Sequence, residues 1–231
     1  MKNLDKIKKK LYKANQDLVK KKLVIQSFGN VSLRFENHIL IKPSGINLSK
    51  IDYKSMVPVN IIDEKFKGTL KPSSDTPTHL ELYKKYKDIK SIVHTHSPYA
   101  TSWAQAGLPI PCFGTTHADF WKHEIPITRR IEKDEIEIDY EKNTGLIIIE
   151  TLNKLKTTPF KCPGILVSSH GVFTWGKSPQ DSVKNAEAIE TIAKMALHSL
   201  IINPDIKRID KNLHTKHFYR KHGDNKYYGQ S

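Results

Sequence analysis

The chain has 231 residues, a formal net charge of +14 and two cysteines, and this length suits one domain spanning residues 1–231. Two cysteines exclude a disulfide framework and a thiolate metal site. The apolar runs are too short for a membrane span and the basic N-terminus lacks the apolar core of a signal peptide, so we expect a cytoplasmic protein with no membrane partner.

The N-terminal part of the chain predicts a helix and then a hairpin. Apolar residues recur at helical spacing from residue 4 to about residue 20, which predicts an amphipathic helix. Apolar and polar residues then alternate between residues 31 and 42, with the turn-forming sequence Glu36-Asn37-His38 between two apolar runs. This alternation predicts a β-hairpin.

Two Ser-Pro pairs mark the starts of further helices. Ser97-Pro98 predicts an N-cap with proline at the first helical position, and Gly107 predicts the end of that helix. Ser178-Pro179 begins the longest predicted helix, in which apolar residues recur from Val183 to Leu200.

The remaining patterns predict strands and a polar tail. Short apolar runs at 146–149 and 165–168 predict two strands. Beyond Pro204 the chain is polar and aromatic, a composition that by itself is typical of a frayed terminus. Strands and helices are mixed without the regular βαβ alternation of a doubly wound sheet. We therefore expect an α/β fold in which helices cover the faces of one sheet.

Two histidines, His94 and His96, stand at alternate positions in the stretch SIVHTHS, residues 91–97. In a strand, side chains at such positions leave the same face, with attachment points roughly 6.5 Å apart. Both rings could therefore reach one zinc ion at the usual zinc–nitrogen distance. A lone His-x-His pair is equally compatible with one buried and one exposed histidine and no metal, so further ligands are needed to support a site.

Two further candidate ligands occur elsewhere in the chain. His170 follows the apolar run that ends near residue 167, and Asp75 stands in KPSSDTPTH, residues 71–79. On local sequence alone, Asp75 is better explained as a helix-start residue ahead of Pro77. With His94 and His96, these residues supply three nitrogens and one oxygen, a set that suits zinc and, less well, manganese or cobalt.

Two segments, KPSG at 42–45 and KPSS at 71–74, share a pattern of lysine, proline and serine. Hydroxyl groups and free backbone N–H groups on tight turns, with a lysine nearby, can bind phosphate. Such segments are also ordinary turns. The presence of two copies close to a candidate metal ligand, Asp75, favours the phosphate interpretation.

Seven segments follow one another along the chain: FGNVS (28–32), KPSG (42–45), KPSSDTPTH (71–79), IVHTHS (92–97), GTTHAD (114–119), SSHG (168–171) and YYGQ (227–230). Together they resemble the L-ribulose-5-phosphate 4-epimerase family of the class II aldolase/epimerase superfamily, from about residue 4 to Gln230. Phe28 stands where a Trp is more usual, and Ser231 extends past the last segment.

The resemblance implies a three-layer α/β/α fold with a central, mainly antiparallel (mixed) sheet, and roles for individual residues. The implied metal ligands are Asp75, His94, His96 and His170, holding one zinc ion per subunit, with manganese or cobalt as possible substitutes. The implied substrate and phosphate contacts are Gly29, Asn30, Lys42, Ser44, Gly45, Ser73 and Ser74. The implied acid/base residues are Asp119 and Tyr228. The resemblance further implies a cyclic homotetramer in which the tail, about residues 204–231, completes the site of a neighbouring subunit.

The implied reaction interconverts two phosphorylated ketopentoses, L-ribulose 5-phosphate and D-xylulose 5-phosphate, which differ in configuration at C4. Because C4 is not adjacent to the ketone, its hydrogen is not acidic. A retro-aldol cleavage between C3 and C4, followed by re-addition to the other face of the aldehyde, avoids this difficulty. Two acid/base groups on opposite sides would then serve the C4 hydroxyl in its two configurations.

Two alternatives remain open from the sequence. The first is a sugar-phosphate aldolase of the fuculose-phosphate type, which would stop at cleavage; related aldolases typically have Glu where Asp75 stands, so the sequence favours the epimerase. The second is a basic, metal-stabilised nucleic-acid-binding module. The lysines are spread along the whole chain without a recognisable binding motif, so we expect no nucleic-acid partner.

Overall fold

The computed structural model describes residues 2–224 and 226–228. The helices are α1 (Lys2–Lys20), α2 (Thr76–Lys85), α3 (Pro98–Ala106), α4 (Thr115–Ala118), α5 (Lys133–Lys154), α6 (Pro179–Ile202) and α7 (Lys211–His222). The strands are β1 (Asn30–Phe35), β2 (His38–Ile41), β3 (Val57–Asn60), β4 (Ser91–Thr95), β5 (Gly164–Val167) and β6 (Gly171–Gly176). Within the described ranges, we find no helix with the length and apolar character needed to cross a membrane.

The strands form one sheet in the order β3-β2-β1-β4-β6-β5. Every neighbouring pair is antiparallel, and a parallel bridge joins Ile127 to Leu166. The predicted hairpin over residues 31–42 is confirmed as β1 and β2. The expected fold, a mainly antiparallel sheet covered by helices, is also confirmed.

The two faces of the sheet bury different apolar clusters. Val31 and Val93, which are opposite each other in β1 and β4, belong to the cluster under α1. Ile92 belongs to the larger cluster on the other side, which includes residues of α2, α3 and α5. Because side chains alternate along a strand, His94 leaves β4 on the same face as Ile92.

The predicted strand at 146–149 is wrong, because these residues lie inside α5. Ile147 and Ile148 are fully or almost fully buried, whereas Leu146 is 41% exposed. A short apolar run does not by itself distinguish a strand from a buried helical segment. The predicted strand at 165–168 is confirmed as β5.

The predicted helix starts are confirmed, although one is capped in an unexpected way. Ser178 accepts a hydrogen bond from the backbone N–H of Asp181 at the start of α6. The Ser97 side chain makes no capping hydrogen bond. Instead, the Glu190 carboxylate on α6 accepts hydrogen bonds from the first N–H groups of α3, at 3.0 and 2.9 Å, so a neighbouring helix satisfies this terminus.

The tail beyond Pro204 is not a frayed terminus over its described length. It forms α7, whose N-cap Asp210 accepts hydrogen bonds from two backbone N–H groups. Phe218 on α7 is 1% exposed. Burial of this aromatic ring against the body of the protein explains why a polar segment is ordered here.

Candidate active site

Three histidines meet at one end of the sheet. His94 lies in β4, His96 follows that strand, and His170 occupies the turn between β5 and β6. Their candidate ligand atoms all lie within 4.8 Å of one another. This cluster, called here the histidine group, could hold a metal ion.

The hydrogen bond made by the His94 ring leaves the lone pair of its Nε2 directed at the histidine group. Nδ1 of His94 donates to the carbonyl oxygen of Val172 at 3.0 Å, which leaves the lone pair on Nε2. Nε2 of His94 and Nε2 of His96 lie 3.0 Å apart. Two nitrogens bound to one tetrahedral zinc ion would lie roughly 3.3–3.4 Å apart. The residues present therefore fit zinc with a small opening of the pair.

Two backbone features direct His170 and bring the strands close. Ser169, in the turn before His170, has a positive φ of 58°, a conformation that costs a non-glycine residue energy. At Gly171, a Cβ atom would lie 2.7 Å from the Thr95 carbonyl oxygen. Only glycine allows β6 to approach the end of β4 this closely.

Burial keeps two members of the histidine group, His96 and His170, neutral at physiological pH. Burial, with a smaller effect from His94, lowers the pKa of His96 to about 4. The same two causes, in the same order, lower the pKa of His170 to about 3. Neutral imidazole is the form that binds a metal ion, so these rings can act as metal ligands without first losing a proton.

The Asp75 carboxylate is near enough to His94 and His170 for them to affect its pKa, but it is not part of the histidine group and is held by an amide. Its Oδ2 accepts a hydrogen bond of 2.6 Å from Nδ2 of Asn30, and Asn30 is opposite His94 in the β1–β4 pairing. Asp75 does occupy the N-cap position of α2, as its local sequence predicts, but its side chain caps nothing. Burial raises the pKa of Asp75. The electrostatic effect of His94, His79 and His170 lowers the same pKa by a larger amount, so the net shift is downward.

The two lysine–proline–serine turns lie side by side next to Asp75. The Ser44 N–H donates to the Lys71 carbonyl and the Ser73 N–H donates to the Lys42 carbonyl, both at 2.9 Å. Nδ2 of Asn30 also donates to Oγ of Ser73 at 3.2 Å. One amide therefore connects the serine turns to the candidate metal ligand. Ser44, Gly45 and Ser74 are exposed.

Lys42 is buried beneath these turns. It is 2% exposed, and its Nζ donates to the carbonyl oxygens of Ser27 at 3.0 Å and Ile46 at 3.2 Å. An ammonium group has three donors, so one remains for a ligand. Gly29 lies nearby with φ of 93°, and a Cβ there would come within 2.6 Å of a Val24 methyl group.

Asp119 and Tyr228 lie in a cationic cluster built by the tail. The Asp119 carboxylate accepts hydrogen bonds from Arg220 at 3.0 Å and contacts Lys221 at 3.1 Å. The ring of Tyr228 packs against the same two cations, with the guanidinium carbon 4.6 Å from its centroid and Nζ at 4.4 Å. Gly229, Gln230 and Ser231, which end the chain, lie outside the described residues.

Sequence reasoning missed several residues that shape these sites. The hydroxyl of Tyr140 lies 3.2 Å from Nδ1 of His170, and extended backbone at Asp139, with φ of −161°, interrupts α5 just before Tyr140. His217 lies 3.1 Å from the Asp119 carboxylate. The spacing of His217 and Arg220 on α7 was available as a signal, since residues three apart share a helix face.

Residues 9–197 match the family described as the class II aldolase and adducin N-terminal domain. This match covers most of the chain. The chain belongs to this family. Class II aldolase chemistry uses a metal ion, and the histidine group is the cluster of His, Cys, Asp or Glu side chains in the described residues that could hold one.

Solved structures share the class II aldolase fold at low sequence identity. An L-fuculose 1-phosphate aldolase is 20% identical with a TM-score of 0.76, over 92% of this chain and 94% of that one. The L-fuculose 1-phosphate aldolase of Glaciozyma antarctica PI12 is 15% identical with a TM-score of 0.76, over 94% and 82%. YgbL of Escherichia coli, a candidate aldolase/epimerase/decarboxylase, is 21% identical with a TM-score of 0.73, over 92% and 98%. At these identities the likeness concerns the fold.

Proposed function

We propose that this class II aldolase family protein is an L-ribulose-5-phosphate 4-epimerase. The observation that carries the proposal is the position of Asn30, which donates to both Ser73 and Asp75. This arrangement puts phosphate-type turns and a carboxylate beside the histidine group. A sugar phosphate whose ketone faces the histidines could therefore place its phosphate on the serine turns.

The reaction at C4 proceeds through carbon–carbon cleavage. A base removes the proton of the C4 hydroxyl, the C3–C4 bond breaks, and its electron pair stays with the three-carbon fragment as an enediolate. The other fragment is glycolaldehyde phosphate. After the aldehyde turns its other face, C3 re-attacks and an acid on the opposite side protonates the new alkoxide. Atoms and electrons balance without a co-reactant.

This chain's residues supply binding and proton transfer. The histidine group with Asp75 would hold a zinc ion, which supplies Lewis acidity for carbonyl and hydroxyl oxygens. Ser44 and Ser74, with the backbone of their turns and the remaining donor of Lys42, bind the phosphate. The short Asn30–Asp75 hydrogen bond keeps the carboxylate oriented towards the histidines.

Asp119 and Tyr228 act as the two acid/base groups, and a neighbouring subunit brings them to the metal. In support, among the described residues the partners of Asp119 come from α7 and not from the histidine group. A cyclic homotetramer would unite the two halves, with the tail from about residue 204 crossing to the neighbour. A cytoplasmic location stays a prediction from the sequence.

An aldolase acting on a sugar phosphate of the L-fuculose 1-phosphate type is the second candidate. The fold of two aldolases named for that substrate matches this chain at TM-scores of 0.76. The cleavage step and its site requirements are shared by the two reactions. The difference is whether the aldehyde is released or turned and re-attacked.

The deciding experiment incubates purified, zinc-loaded protein with L-ribulose 5-phosphate and, separately, with L-fuculose 1-phosphate. We expect D-xylulose 5-phosphate to form in the first reaction, detected by NMR. Protein with His96→Asn, purified in parallel, controls for contaminating enzymes and should form none. Release of dihydroxyacetone phosphate from the second substrate, without epimer from the first, would select the aldolase. No turnover of either substrate would contradict both candidates.

A further inference from the structure

Polar residues join β1 to α2 in a repeating pattern. On β1, Asn30, Ser32 and Arg34 alternate along one face, so each step spans about 6.6 Å. On the helix side, Asp75, His79 and Tyr83 are four residues apart, so each step spans about 6 Å. The residue spacing along β1 nearly matches the spacing along α2. The residues therefore pair in order: Asn30 with Asp75, Ser32 with His79, and Arg34 with Tyr83. We call this set of six residues the β1–α2 polar seam.

Each step of the seam is a direct contact. Asn30 donates to Asp75 at 2.6 Å. Oγ of Ser32 lies 2.7 Å from Nδ1 of His79 and 2.8 Å from the Tyr83 hydroxyl. Arg34 donates to the Tyr83 carbonyl and its guanidinium lies 4.9 Å from the Tyr83 ring centroid. The seam thus runs from the candidate metal ligand to the opposite end of α2.

The central contact is fully buried. Ser32, His79 and Tyr83 are each 0% exposed, and Nε2 of His79 has no hydrogen-bond partner among the described residues. Burying an unpaired polar nitrogen costs free energy that an apolar side chain would not cost. The presence of a histidine at this position therefore favours a role beyond filling the interior.

The position of His79 connects it with two candidate metal ligands. It lies one helical turn from Asp75, and its backbone N–H donates to the Asp75 carbonyl at 3.2 Å. Its ring edge contacts Phe173, at 5.8 Å between centroids. Phe173 stacks on His94 at 4.3 Å and an interplanar angle of 17°. A shift of His79 would move both the start of α2 and the surface on which His94 rests.

We propose that His79 is a positioning residue for the metal centre. Anchored by Ser32, it fixes the register of α2 against β1, so that Asp75 faces the histidine group, and it supports the His94 ring through Phe173. The inference rests on the metal site of the proposed function but not on the identity of the sugar. Residues around a metal site that orient its ligands typically change metal affinity about 10- to 100-fold when they are replaced.

The test measures zinc affinity by competition with a chromophoric chelator in wild-type protein and in His79→Gln. We expect zinc binding about 10- to 100-fold weaker in the variant. The visible bands of bound Co²⁺ should also change, because they report the arrangement of the ligands.

His117→Gln is the matched control. His117 is 3% exposed and burial also lowers its pKa, to about 4, but its hydrogen bond is to the carbonyl of His123.

Two further measurements separate positioning from stability. Urea unfolding of the metal-free proteins shows whether the His79→Gln variant folds. If it does not fold, the same measurements are made on Ser32→Ala, which removes the hydroxyl that anchors His79 but keeps the imidazole ring. Wild-type zinc affinity and Co²⁺ bands in a folded variant would overturn the proposal, whatever its stability. Failure of the wild-type protein to bind zinc would overturn it as well. Because no sugar phosphate is used, a failed epimerase assay leaves this result unaffected.

Discussion

The imidazole rings of the histidine group are oriented by residues from other strands and helices rather than by residues adjacent in sequence. His94 donates to Val172 on β6, and His170 contacts Tyr140 on α5. These partners fix which ring nitrogen faces the centre of the group. His96 follows β4, is only partly buried and contacts His94 through Nε2. Its ring therefore offers the cleanest substitution for testing the metal site.

Replacing His96 with asparagine should remove the bound metal while the fold survives. The side chain is only partly buried, so the substitution leaves a small cavity, whereas the site loses one of its three imidazoles. We expect about one divalent ion per chain in the wild-type protein after mild dialysis and much less in the variant, measured by elemental analysis. An unchanged metal content would show that the ion binds elsewhere.

Replacing Ser44 or Ser74 with alanine should weaken substrate binding. Each loss of a hydrogen bond to a charged phosphate costs about 1.5–3 kcal/mol, or roughly 10- to 100-fold in affinity. Both serines are exposed, so the fold should not suffer. The measurement is the apparent substrate affinity of each variant, with Ser102→Ala, on the exposed face of α3, as control. Unchanged affinity in both variants would mean that the turns serve only the structure.

At the scale of elements, α7 carries the side chains that surround Asp119. Arg220, Lys221 and His217 lie on the face of α7 that packs against α4. Burial raises the pKa of Asp119, but hydrogen bonds from these three residues, Arg220 first, lower it below its ordinary value. Asp119 is therefore a carboxylate over the physiological pH range, which is the form that accepts a proton.

Replacing Arg220 with glutamine should shift the pH dependence of the epimerase reaction. Without the guanidinium, the pKa of Asp119 rises towards its ordinary value. Because the base must be deprotonated, the acidic limb of the rate profile should then move to higher pH. The profile of kcat/KM against pH measures this shift. An acidic limb at the same pH as in the wild-type protein would argue against Asp119 as the titrating base.

Replacing Tyr228 with phenylalanine should separate proton transfer from packing. The ring still packs over Arg220 and Lys221, but the hydroxyl is lost. Epimerisation should fall by about 10²–10⁴-fold, the range for a lost acid/base group, with unchanged metal content and oligomeric state. Near-native epimerisation by this variant would leave the tail with a packing role only.

At the scale of the whole molecule, buried histidines link stability to pH. Burial lowers the pKa of His79 to about 3, although Asp75 opposes this shift, and burial lowers the pKa of His117 to about 4. In the unfolded chain both histidines titrate near their ordinary pKa of about 6.5. Between these values the unfolded state binds more protons, so the folded state loses stability as the pH falls.

Metal-free protein should therefore unfold more easily in mild acid. Between about pH 7.5 and about pH 5.5, each of these two histidines should reduce the free energy of unfolding by about 1 kcal/mol. Urea titrations at both pH values measure the difference. His117→Gln removes one of the contributions, so its stability should depend less on pH. Equal stability of the wild-type protein at both pH values would contradict the neutral, buried state of these rings.

The sequence alone was sufficient to predict those helices and strands whose formation depends on residues close together along the chain. The spacing of apolar residues predicted α1, and proline and serine predicted the starts of α3 and α6. Alternation predicted the β1–β2 hairpin, and the same rule placed His94 and His96 together. These features follow from helix and strand periodicity, which a short window of sequence already contains.

The tertiary structure decided everything that depends on which distant segments meet. The run 146–149 became helix because α5 packs on α2 and β5, burying Ile147 and Ile148. Asn30 meets Asp75 because the order of strands in the sheet brings β1 to the start of α2. Tyr140 meets His170 because the break in α5 at Asp139 directs Tyr140 towards that turn. Such contacts join residues 30 or more positions apart. Their geometry is set by packing of the whole chain, and no local pattern specifies it.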